Sequence, residues 1–330
     1  MLENNRNSFD IAYPFFGGYL HTKLFSIIMK HDICDMLETE ENGLHYKEIS
    51  KITKINENSI YRVMRYFIPF KLFTEKENGV FCKTEISTMF SGTFKALAKR
   101  YSNDYNYKLY DNIEESIMKN VNMGPEALGV EKYWDSFQKY PEYCKLYMDS
   151  MKSYSKLQIE NILQNVDFSP YKSIADIGGS HGLLIKEILD NYQSIAGINF
   201  DLKCVLDKSP LKETPRLSLV NGSFFDQVPK ANCFILKNIL HDWDDEHCIK
   251  ILQTVIKSMD QDSKIMIIDY IIEPKQYKTQ QLFTDIIMLH CYNGKERTKE
   301  DWDQLFEKAN LKRDKIISNV EAGCQILSLK

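Results

Sequence analysis

The chain has 330 residues, of which 43% are hydrophobic and 27% are charged, and its formal net charge is −4. These proportions lie close to the average for globular proteins, so they exclude a chain that is disordered throughout and a small disulfide-stapled peptide. The length suggests two domains. With 42 Lys and Arg residues against 46 Asp and Glu residues, there is no overall positive charge to bind nucleic acid or an anionic membrane.

The eight cysteines are spread along the chain, and no two are close enough to form a zinc-type pair. We expect them to be small buried hydrophobic residues in a reducing compartment. The first six residues, Met1-Leu2-Glu3-Asn4-Asn5-Arg6, are polar and do not look like a signal peptide. No apolar run approaches the roughly 20 residues of a membrane helix. The sequence therefore predicts a cytoplasmic protein.

Residues 1–95 are predicted to be mostly helical and to end in a hairpin. Ile60, Val63, Met64 and Phe67 form one face of a helix that should end near Pro69. Asn78-Gly79, between two short apolar runs, is a strong hairpin turn signal. The order helix, helix, hairpin is typical of a winged helix. These residues carry 12 basic and 12 acidic side chains, whereas a DNA-binding winged helix would normally have a basic excess.

Residues 96–165 are predicted to be helical and are rich in tyrosine, and residues 166–330 change character. There, short apolar runs alternate with helical stretches, which indicates a mainly parallel α/β sheet. The predicted strands are Ile174–Ile177, Ile195–Phe200, Leu217–Val220, Phe234–Lys237 and Ile265–Ile272, followed by an antiparallel edge pair, Lys315–Ser318 and Gln325–Leu329.

A glycine-rich loop follows the first of these strands, in Asp176-Ile177-Gly178-Gly179-Ser180-His181-Gly182. Glycines at such a point let the backbone approach a ligand, although a tight strand-to-helix turn also uses them. Asp201 ends the second strand, where a carboxylate can accept both hydroxyls of a ribose; it could instead cap the following helix. Together the loop and the acid favour a nucleoside site.

The ligand of this site is predicted to carry an adenosine without phosphates. The spacing is not that of a dinucleotide fingerprint, and no Lys-Ser of a P-loop follows the glycines. There is also no basic cluster to hold a pyrophosphate. S-adenosylmethionine fits these observations best.

A second motif, Leu236-Lys237-Asn238-Ile239-Leu240-His241-Asp242-Trp243, follows the fourth strand. Ligands bind at the carboxyl ends of strands in open parallel sheets, and a neutral histidine placed there can accept a proton. A hydrogen-bonded structural histidine is the alternative. The next residues, Asp244-Asp245-Glu246, are expected to cap and charge the first turn of a helix rather than to bind a metal.

These motifs, together with Gly294-Lys295-Glu296-Arg297-Thr298, make the chain resemble the S-adenosylmethionine-dependent O-methyltransferases of the caffeate and hydroxyindole type, and specifically a bacterial-type member. The resemblance covers nearly the whole chain. It implies a Rossmann-like, mostly parallel sheet with an antiparallel edge strand, plus an N-terminal, mainly α winged-helix domain for dimerisation. The implied domains are 1–95 for dimerisation, 96–165 as a helical linker lining the acceptor pocket, and 166–330 for cofactor binding and catalysis.

The resemblance also implies roles for individual residues. The cofactor would be bound by Asp176, Gly178, Gly179, Asp201, Ser223, Phe224, Lys237 and Ser155. His241 would be the general base, flanked by the acids Asp269 and Glu296. The acceptor would be lined by Tyr147, Met151, Asp242, Trp243 and Met288. Tyr147, Met151 and Ser155 are spaced to share one helical face, which ordinary core packing would also explain.

The predicted reaction moves a methyl group from S-adenosylmethionine to a hydroxyl of a small aromatic or polyketide-like acceptor of secondary metabolism, and releases S-adenosylhomocysteine. A phenol has a pKa of about 10, so His241 would remove its proton, with Asp269 or Glu296 fixing the ring tautomer. No metal is implied. In relatives the N-terminal segment of one subunit closes the pocket of the other, which predicts a homodimer with Tyr13, Phe15 and Phe16 as candidates.

The chain departs from the family at three positions. Ser180 stands where glycine is usual; serine is small, and the loop can keep its shape if φ at this residue is negative. Ser223 replaces an aspartate that binds the adenine amino group, so water could mediate that contact. Asp269 replaces a longer glutamate. N-methylation, or a non-methylating reaction on the same fold (cyclisation, decarboxylation or hydroxylation), remains an alternative function.

Overall fold

The computed structural model describes residues 8–330. The helices in this range are α1 Ser8–Lys30, α2 Ile33–Glu38, α3 Tyr46–Thr53, α4 Glu57–Tyr66, α5 Glu85–Ser91, α6 Lys95–Tyr101, α7 Asp104–Leu109, α8 Ile113–Lys119, α9 Gly124–Ala127, α10 Ser136–Lys139, α11 Pro141–Asn165, α12 Leu183–Asn191, α13 Lys203–Leu206, α14 Asp245–Ile256, α15 Thr279–Ile287 and α16 Lys299–Lys308. None of these helices is both long enough and apolar enough to cross a membrane.

The strands of the N-terminal third have two or three residues, and those of the large sheet in the C-terminal half have five to seven. They are β1 Leu44–His45, β2 Thr74–Lys76, β3 Val80–Cys82, β4 Ser173–Ile177, β5 Ala196–Asp201, β6 Leu217–Asn221, β7 Cys233–Lys237, β8 Lys264–Ile268, β9 Ile271–Ile272, β10 Arg297–Thr298, β11 Leu311–Ile317 and β12 Cys324–Leu329.

The chain divides into two compact units, and the helical middle region is shared between them. The first unit contains the described residues up to Asp111 together with Trp134–Ser153. The second contains Asn112–Tyr133 and Tyr154–Lys330. Helix α11 therefore gives its first half to one unit and its second half to the other. The division into residues 1–95 for dimerisation, 96–165 as a linker and 166–330 for catalysis stays a prediction.

The first unit has the predicted order of helix, helix and hairpin. Asn56 caps α4 by accepting hydrogen bonds from the backbone N–H groups of Asn58 and Ser59. Strand β3 pairs antiparallel with β2 and with β1, which makes a three-stranded sheet. Its core contains Ile60 and Phe81, both fully buried. The apolar face predicted for α4 is thus the face that packs against the small sheet.

The second unit is built on a seven-stranded sheet in the order β11-β12-β8-β7-β4-β5-β6. The five strands from β8 to β6 are parallel, and β12 and β11 add an antiparallel edge. The predicted fold class and edge pair are confirmed. Because β4 has β5 on one side and β7 on the other, the chain reverses its direction of winding at β4, and ligands bind such sheets at the carboxyl ends of the strands beside that point.

Two predicted strands differ from the structure. The predicted run Ile265–Ile272 is interrupted, because the chain leaves the large sheet after Ile268 and β9 instead pairs parallel with β10. The carboxylate of Asp269 lies at this break. The edge strand β11 begins at Leu311, four residues before the predicted start, because its first half contains the consecutive charged residues Lys312–Lys315 and does not look like an apolar run.

The cysteines follow the prediction with one exception. Five are buried, Cys82 and Cys144 are half-buried, and all eight are free. Cys204 is exposed on α13, so the prediction of burial is wrong there. Helix α13 has only four residues, and none of them is buried, so no apolar core surrounds Cys204.

Candidate active site

The loop after β4 is shaped by its glycines. Gly178 and Gly182 have φ values of 71° and 74°, in the left-handed region that favours glycine. The N–H of Gly178 donates to the carbonyl of Phe200 at 2.8 Å, which ties the loop to the neighbouring strand β5. A Cβ on Gly179 would collide with the side chains of Asn199 and Asp176. The loop therefore leaves backbone exposed at the point where the two strands end.

Ser180 has the left-handed backbone conformation that favours glycine. Its φ is 55°, so the condition of a negative φ is not met at this residue. The loop keeps the backbone path suited to glycine and imposes it on serine, which a small exposed side chain tolerates at a modest cost in free energy. In this conformation the N–H of Ser180 donates to Oδ2 of Asp201 at 2.8 Å.

Asp201 is oriented by backbone groups and does not cap a helix. Its Oδ1 accepts from the N–H of Leu202 at 2.7 Å, and the N-cap of α13 is Leu202. Burial raises the pKa of Asp201, although these backbone donors and His181 lower it. Each oxygen keeps lone pairs that face no protein donor in the described contacts, and these can accept ribose hydroxyls.

The surroundings of the loop fit an adenosine-type cofactor. Oδ1 of Asn199 is buried without a hydrogen-bond partner beside Gly179, in the cradle that a Cβ would fill. Asp176 is also buried, and burial raises its pKa to about 7, although Lys237 lowers it. Buried polar atoms without partners are rare in folded proteins, so Oδ1 of Asn199 indicates a place for a polar ligand.

Aromatic rings form a wall near the same loop. The Phe224 ring lies 5.0 Å from that of Phe225 and 6.1 Å from that of Trp243, centre to centre. Ser223 turns its hydroxyl inward, where Oγ accepts from the N–H of Phe225 at 3.2 Å. An adenine stacked on Phe224 would therefore meet a hydroxyl that is already engaged in a local turn.

Lys237 ends β7 with its ammonium group held inside the protein. Its Nζ donates to Oε1 of Gln158 at 3.2 Å, and Nδ2 of Asn238 donates to the same oxygen at 2.9 Å. Burial lowers the pKa of Lys237, while Asp176 and Asp269 raise it. Sequence reasoning did not identify Gln158, because a single glutamine on a long helix gives no signal.

His241 lies in the short 3₁₀ turn Leu240–Asp242 that follows β7. Its Nδ1 is 2.7 Å from Oε1 of Glu296, whose side chain has no solvent exposure. Its Nε2 is 3.5 Å from Oδ1 of Asp242. In the neutral imidazole, the first contact places the proton on Nδ1, because a carboxylate can only accept, and Nε2 can then accept a proton.

The carboxylates around His241 make it a strong base. Burial alone would lower its pKa, but Glu296, Asp242 and Asp269 together raise it to about 10. Burial raises the pKa of Asp242 to about 6. A phenol also has a pKa of about 10, so proton transfer from a phenol to this histidine is nearly balanced.

Of the two acids predicted to flank His241, only Glu296 contacts its ring. Oδ2 of Asp269 accepts instead from the backbone N–H of Leu240 at 3.2 Å, and its Oδ1 is buried without a partner. Burial raises the pKa of Asp269 to about 7, while the charge of His241 lowers it. Asp269 therefore acts on His241 indirectly. It holds the backbone of the turn at Leu240, and its negative charge raises the pKa of the imidazole.

The residues predicted to line the acceptor lie in both units. Tyr147 and Met151 belong to the first unit, where the Tyr147 ring lies 4.7 Å from that of Phe137 and 5.9 Å from that of Trp134. Ser155 is half-buried in the second unit, on the same helix α11. These three positions do share one continuous helix. Their roles, and that of Ser155 at the cofactor, stay predictions.

Met288 and Trp243 are both in the second unit. Met288 is buried and begins a π-helical turn, Met288–Tyr292, and such turns are frequent at functional sites. The N–H of Gly294 donates to the carbonyl of Met288 at 3.1 Å, and the N–H of Lys295 donates to the carbonyl of His241 at 3.0 Å. The π turn thus leads the chain directly to the backbone of His241.

The acidic run after Trp243 has the predicted structural role. Asp244 caps α14 by accepting from the N–H of His247 at 2.9 Å, and Asp245 and Glu246 occupy its first turn. Among residues 8–330 there is no cluster of three or more His, Cys, Asp or Glu side chains that could hold a metal ion. Asp245 has two contacts that the sequence did not predict, with the buried side chain of Arg297 at 2.7 Å and with Lys295 at 3.3 Å.

Comparison with known proteins agrees with this geometry. The family model described as "O-methyltransferase domain" matches residues 107–312, which is more than half of the chain. O-methyltransferase 7 of Dictyostelium discoideum is 42% identical over 333 residues, which cover 100% of this chain and 97% of that protein. The chain belongs to the O-methyltransferase family.

Two further proteins complete the comparison of this O-methyltransferase. "Probable inactive O-methyltransferase 11" of Dictyostelium discoideum is 40% identical over 314 residues, covering 93% of this chain and 94% of that protein. The fold is that of human N-acetylserotonin methyltransferase in complex with S-adenosylmethionine, with a TM-score of 0.86 at 19% identity, covering 100% of this chain and 99% of that structure.

The predicted enzyme class, an S-adenosylmethionine-dependent O-methyltransferase of small molecules, is confirmed by the family. The alternatives, N-methylation or non-methylating chemistry, are not favoured by these relatives. The expectation of a bacterial-type member is not borne out, because the curated relatives that match this O-methyltransferase over its full length come from Dictyostelium discoideum.

Proposed function

We propose that this O-methyltransferase transfers the methyl group of S-adenosylmethionine to a hydroxyl of a small aromatic acceptor, with His241 as the general base. The observation that carries this proposal is the 2.7 Å contact between Nδ1 of His241 and the buried carboxylate of Glu296. The pair lies at the carboxyl edge of the sheet, one strand away from the glycine loop after β4.

Family membership alone does not decide whether the chain is active, because one relative with 40% identity is named as probably inactive. The case for activity is therefore chemical. A histidine that is buried, held in one tautomer and raised in basicity by carboxylates is costly to maintain, and such groups concentrate at sites of acid–base chemistry. This supports a working base at position 241.

The cofactor would be held by the loop after β4 and by the ends of the neighbouring strands. The two oxygens of Asp201 would accept the ribose hydroxyls, the ring of Phe224 would stack on the adenine, and Lys237 and Asp176 would also contact the cofactor. When bound, S-adenosylmethionine supplies a methyl group that is already activated on a sulfonium, and it leaves as S-adenosylhomocysteine.

His241 would supply the step that the sulfonium does not. Its Nε2 accepts the hydroxyl proton of the acceptor while Nδ1–H stays hydrogen-bonded to Glu296. The imidazolium that results is stabilised by that carboxylate and by Asp242. Base catalysis of this kind contributes about 10²–10⁴-fold, and holding the acceptor oxygen in line with the methyl group contributes more. The predicted acceptor-lining residues are rich in aromatic and sulfur side chains, which favours a flat aromatic acceptor.

We also propose that the enzyme is a homodimer formed through α1. Large apolar side chains of this helix are exposed, with Phe15 at 91%, Tyr19 at 70% and Phe16 at 62% of their full surface. A monomer rarely leaves such a continuous apolar face in water. Tyr13, the third predicted candidate, is half-buried and bonds to Tyr66 through its hydroxyl. Light scattering at micromolar concentration should give the mass of two chains, and the mass of one chain would remove this proposal.

The experiment that tests the main proposal begins with calorimetric titration of the enzyme with S-adenosylmethionine. Micromolar binding is expected, and a folded enzyme that gives no heat would overturn the cofactor assignment. The enzyme is then incubated with S-adenosylmethionine and a panel of small phenols. Production of S-adenosylhomocysteine together with an O-methylated phenol is the expected result. A product methylated on nitrogen, or a changed acceptor without S-adenosylhomocysteine, would contradict it.

A further inference from the structure

We propose that Arg297 is the positioning residue for the base, because its buried guanidinium grips the backbone of the turn that carries His241. This inference rests on the proposed role of His241. Arg297 belongs to a motif that the sequence analysis singled out without giving Arg297 a function. Arg297 is the first residue of β10 and directly follows Glu296, whose carboxylate contacts the His241 ring. Two adjacent residues therefore contact the turn, one at the imidazole and one at the backbone.

The guanidinium spans the turn from end to end. Nη1 of Arg297 donates to the carbonyl of Leu240 at 2.9 Å, and Nη2 donates to the carbonyl of Trp243 at 2.9 Å. Nε and Nη2 also donate to Oδ1 of Asp245 at 3.1 Å and 2.7 Å. The side chain of Arg297 has no solvent exposure. The two carbonyls that it binds therefore lie immediately before His241 and immediately after Asp242.

A second buried charge holds the other side of Leu240. Its N–H donates to Oδ2 of Asp269 at 3.2 Å, while its carbonyl accepts from Arg297. The residue before the base is thus held through both of its backbone polar groups, by a carboxylate on one side and a guanidinium on the other. A single rigid anchor of this kind restricts where the imidazole of His241 can lie.

Only arginine has the donors for this task. Its planar guanidinium carries five N–H donors in a fixed fork, so it can reach two carbonyls and a carboxylate at once. Lysine keeps the positive charge but has a single nitrogen with three rotating donors. Arg297→Lys therefore loses the simultaneous hydrogen bonds to the carbonyls of Leu240 and Trp243 but keeps the positive charge. A displacement of about 1 Å in a catalytic group can cost about 100-fold in rate.

The chain offers a matched control in Arg313. Its guanidinium is also largely buried, pairs with Asp303 at 2.7 Å and lies 5.3 Å from the ring of Phe306. Arg297 lies at a similar distance, 5.2 Å, from the ring of Trp302. Arg313 is in the edge strand β11 and makes no described contact with the turn after β7. Arg313→Lys thus loses a largely buried, aromatic-packed guanidinium without a described contact to the turn that carries the base.

The test compares wild-type enzyme, Arg297→Lys and Arg313→Lys in methyl transfer to the phenol that the wild type uses best. We expect kcat of Arg297→Lys to fall about 10- to 100-fold, with the Kd for S-adenosylmethionine within twofold of wild type. Its rate should also begin to rise at a lower pH, because a displaced His241 loses contact with Glu296, and Asp242 and Asp269 alone raise its pKa less. Arg313→Lys should match wild type in all three measurements. Equal kcat and equal pH profiles in the two lysine variants would overturn the inference.

A spectroscopic readout separates this inference from the proposed function. In wild-type enzyme the Nδ1 proton of His241, shared with Glu296, should give a downfield imidazole NMR signal, assigned by its absence in His241→Asn. Arg297→Lys should shift or broaden that signal and Arg313→Lys should not, whether or not a methylated acceptor has been found. An unchanged signal in Arg297→Lys would contradict the positioning role. If Arg297→Lys does not fold, Asp245→Asn weakens the same grip more gently and should move the signal in the same direction.

Discussion

Two turns at the carboxyl edge of the same sheet are built in different ways. The turn after β4, residues 178–182, takes its shape from the backbone, with two glycines at positive φ and a third that has no room for a Cβ. The turn after β7, residues 238–243, contains no glycine. It takes its shape from a buried carboxylate and a buried guanidinium that hold its peptide groups. One turn shapes a binding cradle and the other positions a base.

Both turns were recognised along the chain, but only in the glycine turn could the features that shape it be recognised as well. The glycine turn is specified locally, within five consecutive residues. The partners of the charged turn are separated from Leu240 by 29 and 57 positions. Each turn should therefore respond to its own substitutions and be indifferent to those of the other.

The largest effect is expected in the charged turn. His241→Ala should lower methyl transfer by about 10²–10⁴-fold, because the acceptor hydroxyl loses the base that takes its proton. The affinity for S-adenosylmethionine should stay within about twofold, because the cradle after β4 does not contain this side chain. Steady-state kinetics and calorimetry measure the two quantities separately. Turnover equal to wild type would remove His241 from the base role.

The reverse pattern is expected in the glycine turn. Gly179→Ala places a methyl group against Asn199 and Asp176, so the cradle must open, and the Kd for S-adenosylmethionine should rise at least tenfold. The His241 NMR signal should stay where it is. A shifted His241 signal in Gly179→Ala would show that the two turns are coupled.

The charge on Glu296 can be removed while its shape is kept. Glu296→Gln can still accept the Nδ1 proton of His241, but it no longer raises the pKa of the imidazole. The wild-type rate should rise with pH toward about 10, because the base must lose its proton before it can act. In Glu296→Gln this rise should come at lower pH, and the plateau should be about tenfold lower because a weaker base removes the phenol proton less readily.

The matched control for that measurement is Glu300→Gln, four residues further along and exposed in the first turn of α16. It removes the same formal charge from the surface. Its pH profile should coincide with that of the wild type. If both variants shift the profile alike, general surface charge rather than the Glu296 contact sets the basicity of His241.

Periodicity and motif spacing predicted most of the fold. The five parallel strands and the edge pair were recognisable because their apolar runs are short and separated by helical stretches. The break after Ile268 was not recognisable, since Ile271–Ile272 continues an apolar run and only pairing with β10 shows that it belongs to another sheet. An apolar run indicates that its residues are buried but does not indicate which sheet they join, and Ile265–Ile268 and Ile271–Ile272 are both buried.

The site shows the same division between local and distant information. Asp201, Glu296 and His241 were found at the ends of predicted strands or in motifs. The sequence could not choose between Asp269 and Glu296 as the ring partner, because that choice depends on which carboxylate the folded turn faces. It also gave no role to Arg297, although the residue stands in a quoted motif, since its partners are backbone carbonyls that have no sequence signature.

The smallest effect is expected at Ser180, and it tests whether the glycine turn is shaped by backbone alone. A non-glycine residue in the left-handed region costs about 1–2 kcal/mol, part of which glycine returns as chain entropy. Ser180→Gly should therefore raise the free energy of unfolding by up to about 1 kcal/mol, measured in urea. S-adenosylmethionine binding should not change, because glycine keeps the backbone N–H that donates to Asp201. Ser180→Ala, which keeps the Cβ and the strain, should give no gain; a loss of stability in both variants would mean that the serine hydroxyl holds the loop.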